Sequence, residues 1–142
     1  MTERQIQQVL ENHKTPGTLH VRNIYLYEGW EMDVMHIMRS NHISEFEIKT
    51  NNPDFKADFK KPKHRLFKTL ETCDIPNYFV YVCPEGVIKP EDVPEYAGLH
   101  YVVTKRNGLT RYIRIIKPAP ILHNEVLGLE EWRSIAIKAL KK

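Results

Sequence analysis

Residues 30–50, WEMDVMHIMRSNHISEFEIKT, decide the fold. Two apolar-rich runs, 30–38 and 43–50, flank the polar stretch Arg39-Ser40-Asn41-His42, the pattern of two strands around a turn. Pairing symmetric about Ser40 sets Asp33 opposite Glu47, and directly opposed residues share a face at about 5 Å. Side chains alternate along a strand, so Glu47 and Lys49 also share a face, about 7 Å apart in rise. A slip of one residue would send Asp33 to the opposite face from Glu47. In register, two carboxylates and an ammonium converge.

That grouping has a chemical use. A hard divalent cation such as Mg²⁺ touches few protein oxygens, keeps several waters and bridges to phosphate, so two carboxylates suffice to hold it. A lysine beside it can place water or balance charge on a phosphorane-like transition state. The ordinary reading of the same three residues is a cross-strand ion pair on a solvated sheet, and spacing alone does not separate the two.

Working outward, residues 3–13 place Ile6, Val9 and Leu10 at helical spacing behind Thr2, a good N-cap. A strand over 18–27 then completes an antiparallel meander with 30–38 and 43–50. Asn52 reads as the cap of a helix with Pro53 at its first position and Asp54 in its first turn, and Pro62 must kink or restart that helix. Strands follow at 78–83 and 99–104. A crossover from strand 43–50 through a helix makes strand 78–83 its parallel neighbour, with right-handed connection expected. Asn107-Gly108 signals a hairpin into 110–116, and 129–140 reads as a closing amphipathic helix.

With 142 residues, 42% hydrophobic and 27% charged, the whole chain, 1–142, fits one domain able to bury a core. No apolar stretch reaches the roughly 18 residues of a membrane span, and no signal-peptide core precedes the first helix, so a cytoplasmic protein with no membrane partner is expected. Cys73 and Cys83 make neither a disulfide framework nor a zinc motif, and both are expected to be reduced, Cys83 on a buried strand. The formal charge of +3 is modest, so a nucleic-acid case rests on placement. Lys56, Lys60, Lys61, Lys63, His64, Arg65 and Lys68 crowd one segment in which Asp58 is the sole acid. Such a segment binds backbone phosphates, or is a solvated helix face. Lys105, Arg106, Arg111 and Arg114 form a second basic group around the Asn107-Gly108 turn.

The run EIKTNNPDFKADFKKPKHRLFK, followed by NYFVYVCPEGVIKPEDVPEYAGLHYV, resembles the small PD-(D/E)XK nucleases of the MmcB-like DNA-repair group. The shared features are a Glu-x-Lys strand, a helix opening on Asp-Phe with a further Asp and Lys, a strand ending in Pro-Glu-Gly, and a return strand after Pro and Ala-Gly-Leu. The resemblance implies a restriction-endonuclease-like fold: a mixed α/β sheet, antiparallel meander plus crossover, flanked by helices. It implies a Mg²⁺- or Mn²⁺-dependent nuclease hydrolysing DNA in repair, replication or phage DNA processing, with Asp33 and Glu47 as metal ligands and Lys49 as the catalytic lysine. Asp54, Asp58 and Lys61 then support the site or contact DNA. Met32 stands where the motif's name has Pro, and the stretch 66–76 is longer than the pattern expects. The first helix of such folds often adds an acid near the metal; of Glu3 and Glu11, Glu11 is preferred here as the nearer to the strand end. A nucleic-acid-binding or assembly protein that kept the fold without turnover is the alternative. No residue pattern distinguishes DNA from RNA.

Overall fold

The structure is a computed structural model and describes residues 1–141. Helix α1 (Glu3–Asn12) starts at Thr2, whose hydroxyl accepts from the Gln5 N–H while the Gln5 side chain accepts from the Thr2 N–H. Losing such a cap typically costs about 1 kcal/mol. Strands β1 (Leu19–Tyr27), β2 (Trp30–Ile37) and β3 (Ile43–Ile48) form the expected meander, and β4 (Tyr78–Pro84), β5 (Ala97–Thr104) and β6 (Arg111–Lys117) complete one six-stranded sheet in sequence order. The pairs β3–β4 and β4–β5 are parallel, and the remaining pairs antiparallel. The register of β2 on β3, Val34 with Phe46 and Ile37 with Ile43, is the one symmetric about Ser40.

Short helices α2 (Asn52–Asp58) and α3 (Lys63–Thr69) lie between β3 and β4, and α4 (Leu129–Leu140) closes the chain. Asn51, not Asn52, caps α2: its side chain accepts from the Asp54 N–H, which puts Pro53 at the second helical position, while the Asn52 amide donates to the Val87 carbonyl. Pro62 restarts the helix rather than bending it. Tight bonds from the Lys60 and Lys61 N–H groups to Ala57 and Asp58 close α2, and α3 begins at Lys63. At the far hairpin, Gly108 takes a positive φ of 71° and the Asn107 carboxamide accepts from Leu109 and Thr110, so the turn residues act as their types dictate.

The parallel strands lie in the middle of the sheet, and all six residues of β3 are buried. Such strands need cover on both faces. On one face Ile6, Val9 and Leu10 of α1 pack on Val34, Phe46, Ile48, Val80 and Val82. On the other, Phe55 of α2 and Phe67 of α3 pack on Phe79, Tyr81 and Leu99. Ile135 of α4 seats among Ile24, Met32, Met35, Ile37 and Ile43. The odd-numbered residues of β3 therefore point under α2 and α3, and two of them are glutamates.

Candidate functional site

Where β3 ends, a hollow of about 490 Å³ opens between the sheet, α1 and α2. Glu3, Asp33, Glu47, Lys49, Asp58 and Lys61 line it. Asp33 arrives from β2 one step beyond the Val34–Phe46 pair. Its Oδ2 accepts the Ile48 N–H at 2.8 Å, and its carbonyl accepts the Gln7 amide, which ties α1 to this edge of the site. Burial, then the Glu47 charge, pushes the Asp33 carboxyl up to about 8.

Glu47 is 1% exposed and heavily compensated. Its Oε1 lies 3.1 Å from Lys49 Nζ and 2.6 Å from Lys61 Nζ; Oε2 lies 3.3 Å from Lys63 Nζ, within ion-pair range but outside hydrogen-bonding geometry. Asp58 repeats the arrangement, with Oδ1 at 3.0 Å from Lys49 and 2.8 Å from Lys61. Asp58 Oδ2 accepts from Tyr81 Oη at 2.8 Å and pairs with His64 Nε2 at 2.7 Å, and His64 Nδ1 meets Tyr96 Oη at 2.6 Å. Burial opposes the charge on Asp58, yet the bonds from His64 and Lys61 hold its carboxyl well below the usual range. Burial likewise opposes the charge on Lys61, and Glu47 and Asp58 together raise it.

Two residues along β3, Glu45 accepts the Trp30 indole N–H and pairs with Lys63 at 2.7 Å, both side chains sealed from solvent. Burial pushes Glu45 up to about 7 against the pull of Lys63, which itself is raised by Glu45 and Glu47 in spite of its own burial.

The structure brings Asp33, Glu47, Lys49, Asp58 and Lys61 together and separates other residues singled out from sequence. Glu11 sits near the far end of α1, paired with Lys14 and 3.7 Å from His20, away from the hollow. Glu3, one turn before Gln7, is the acid at the rim, and burial and the Glu47 charge raise its carboxyl. Lys63 and His64 are buried partners of Glu45 and Asp58, so neither offers its charge to a phosphate. Lys56, Lys60 and Arg65 are exposed, and Asp54 is an exposed residue at the mouth. Arg114 is engaged by Glu85. Glu45, His64 and Tyr81 belong to one buried polar chain that the spacing of Asp33, Glu47 and Lys49 does not reveal. A signal was present: Glu45, Glu47 and Lys49 share one face of a strand that a helical crossover must cover.

Among the described residues, no group of three or more His, Cys, Asp or Glu side chains is arranged to close around a metal. The donor set nevertheless fits a hydrated Mg²⁺ or Mn²⁺. Asp33 and Glu47 offer hard carboxylate oxygens, and an added positive charge would offset the burial and the Glu47 charge that raise Asp33. The opposite sheet face is chemically different. A hollow of about 590 Å³ below α1 is lined by His20, His36, His100 and Phe46 and by no carboxylate. Burial drives His20 and His100 down to about 4, so these rings are neutral at physiological pH.

No protein-family model and no curated protein matches the chain. Its fold is similar to that of the SPO1766 protein of unknown function from Silicibacter pomeroyi, with a TM-score of 0.62 and 19% identity over 97% of this chain and 80% of that one. That likeness concerns the fold: a mixed α/β architecture of a six-stranded sheet with four helices. No described helix is long and apolar enough to cross a membrane, and Cys73 and Cys83 are both free.

Proposed function

We propose that the protein is a metal-dependent nuclease of the restriction-endonuclease-like type that hydrolyses DNA phosphodiester bonds, acting in the cytoplasm in repair, replication or phage DNA processing. One observation carries the reading: Asp33 of β2, Glu47 of the antiparallel neighbour β3 and Lys49 just past its end line a single hollow. Asp33 and Glu47 would hold Mg²⁺ or Mn²⁺. When bound, such an ion polarises a phosphoryl oxygen and acidifies a water. Lys49, 11% exposed and braced by Glu47 and Asp58, presents a fixed ammonium toward the hollow, where it orients the attacking water and offsets charge that builds on phosphorus. Asp58 positions that lysine and is itself held by Tyr81 and His64. Exposed Lys56, Lys60 and Arg65 supply backbone phosphate contacts that position DNA without reading its sequence.

A second reading draws on a specific contact. Lys61 Nζ already bridges Glu47 and Asp58, as a resident cation would, which favours a nucleic-acid-binding or assembly protein without turnover. A cleavage assay on duplex, flap and single-stranded DNA and on RNA, with Mg²⁺, Mn²⁺ or EDTA, separates the two. Metal-dependent cleavage that EDTA abolishes supports the nuclease. Binding without cleavage in any metal supports the second reading, and cleavage that survives EDTA removes the proposed chemistry.

A further inference from the structure

Two ammonium groups serve one pair of oxygens. Glu47 Oε1 and Asp58 Oδ1 are each met by both Lys49 and Lys61, at separations between 2.6 and 3.1 Å. The two lysines differ in origin and access. Lys49 follows the last residue of β3 and is 11% exposed, whereas Lys61 reaches in from the break between α2 and α3 and is 49% exposed. A side chain half in water on a break between helices is free to leave; one at the end of a central strand is not. Space for the departure exists. A second hollow, about 460 Å³ and lined by Trp30, Glu31 and Leu66, adjoins the first, and Asp33 and Lys61 line both.

Charge counting gives the exchange a direction. Glu45 is already balanced by Lys63, so five carboxyl groups, Glu3, Asp33, Glu47, Asp54 and Asp58, line the site with two ammonium groups, those of Lys49 and Lys61. A divalent cation seated between Asp33 and Glu47 with both lysines still on Glu47 would face like charge at contact distance. The half-exposed lysine is the one that can move, at the least cost in desolvation. Resting on the metal-site reading above, we infer that Lys61 is a built-in exchangeable counter-ion. Its ammonium holds Glu47 and Asp58 in place while no metal is bound, yields its position to an arriving divalent cation, and turns into the adjoining hollow, where Glu28 and Glu31 are at hand. The chain thereby couples cation loading to the release of a lysine ammonium from the site.

The test is a Mn²⁺ titration, with free ion followed by electron paramagnetic resonance, on the wild type, Lys61→Met and the exposed control Lys60→Met. Removing one resident positive charge at this range should tighten Mn²⁺ binding about tenfold or more, with Lys60→Met close to wild type. In the wild type, brief acetylation read by mass spectrometry should label Lys61 several-fold more with Mg²⁺ than with EDTA, with Lys60 unchanged. This arm needs no variant to fold. If wild type binds Mn²⁺ but Lys61→Met binds no more tightly, or Mg²⁺ leaves Lys61 labelling unchanged, the counter-ion role is overturned while the metal site stands. If neither wild type nor Lys61→Met binds Mn²⁺, the metal-site reading itself fails.

Discussion

Glu45 and Glu47 leave the same face of β3 two residues apart, both fully buried, both paired with lysine, and they live in different chemical worlds. Glu45 is closed in by Trp30 and by a lysine that is only 4% exposed, whereas Glu47 looks into a hollow and shares a lysine that is half in water. A sealed pair has satisfied itself and has nothing left to offer a ligand. An open one can exchange a partner. The difference is set by where Pro62 breaks the helix, since the break puts Lys61 at the rim and Lys63 inside.

The largest expected effect bears on the sealed pair. Lys63→Met strands the buried Glu45 charge, and losing one partner of such a pair costs about 3–5 kcal/mol, against about 1 kcal/mol or less for Lys61→Met at the exposed rim. Urea unfolding at pH 8 measures both; similar losses would erase the distinction between the two glutamates. The cost of Lys63→Met should shrink toward pH 5, because burial holds Glu45 up to about 7 even beside Lys63, and without that lysine the carboxyl takes a proton more readily still instead of remaining a stranded charge.

Next in size is the open pair's chemistry. Lys49→Ala should lower single-turnover cleavage by about 10² to 10³ without weakening Mn²⁺ or DNA binding, since a preorganised donor acts mainly on the transition state. Glu47→Gln should instead weaken the metal site, with partial recovery in excess Mn²⁺. A Lys49→Ala protein that cleaves at the wild-type rate would reduce Lys49 to a structural counter-charge.

Much of this was legible in the chain. The Ser40-centred turn and the alternation of 43–50 fix the register that pairs Val34 with Phe46 and brings Asp33, one step beyond, to the hollow that Glu47 lines, and register is a local property of pattern and turn. The capping of α1 by Thr2 and the Asn107-Gly108 turn are legible for the same reason. What could not be read is long-range. Whether Glu3 or Glu11 faces the site depends on how α1 lies on the sheet, which the Gln7 contact to the Asp33 carbonyl sets. The basic run 56–68 looks uniform in one dimension; folding divides it, turning Lys63 and His64 inward to partners on β3 and α2 and leaving Lys56, Lys60 and Arg65 outside.

Smaller effects sharpen the contrast. Asp33 is pushed up to about 8, far above an unfolded carboxyl, so between pH 6.5 and 8 the folded protein holds more protons than the unfolded chain. Stability of the metal-free protein should therefore fall as pH rises through that window, and Asp33→Asn should flatten the slope. An unchanged slope would mean that burial and the Glu47 charge do not hold Asp33 protonated in this window. Smallest of all, Lys56→Ala, Lys60→Ala and Arg65→Ala should each lower the slope of log DNA affinity against log salt by about 0.9 on duplex DNA. Three unchanged slopes would return the outer half of the run to a solvated face.

The most direct test of the central claim is to locate the cation. With Fe²⁺ in place of Mg²⁺ and peroxide with ascorbate added, hydroxyl radicals cut the backbone beside the bound ion, and the fragments identify the site. Cuts focused near residues 33 and 47–49, lost in Glu47→Gln, are the result expected here. Cuts focused instead near His20 and His36 on the opposite face, or no focused cutting, would contradict it.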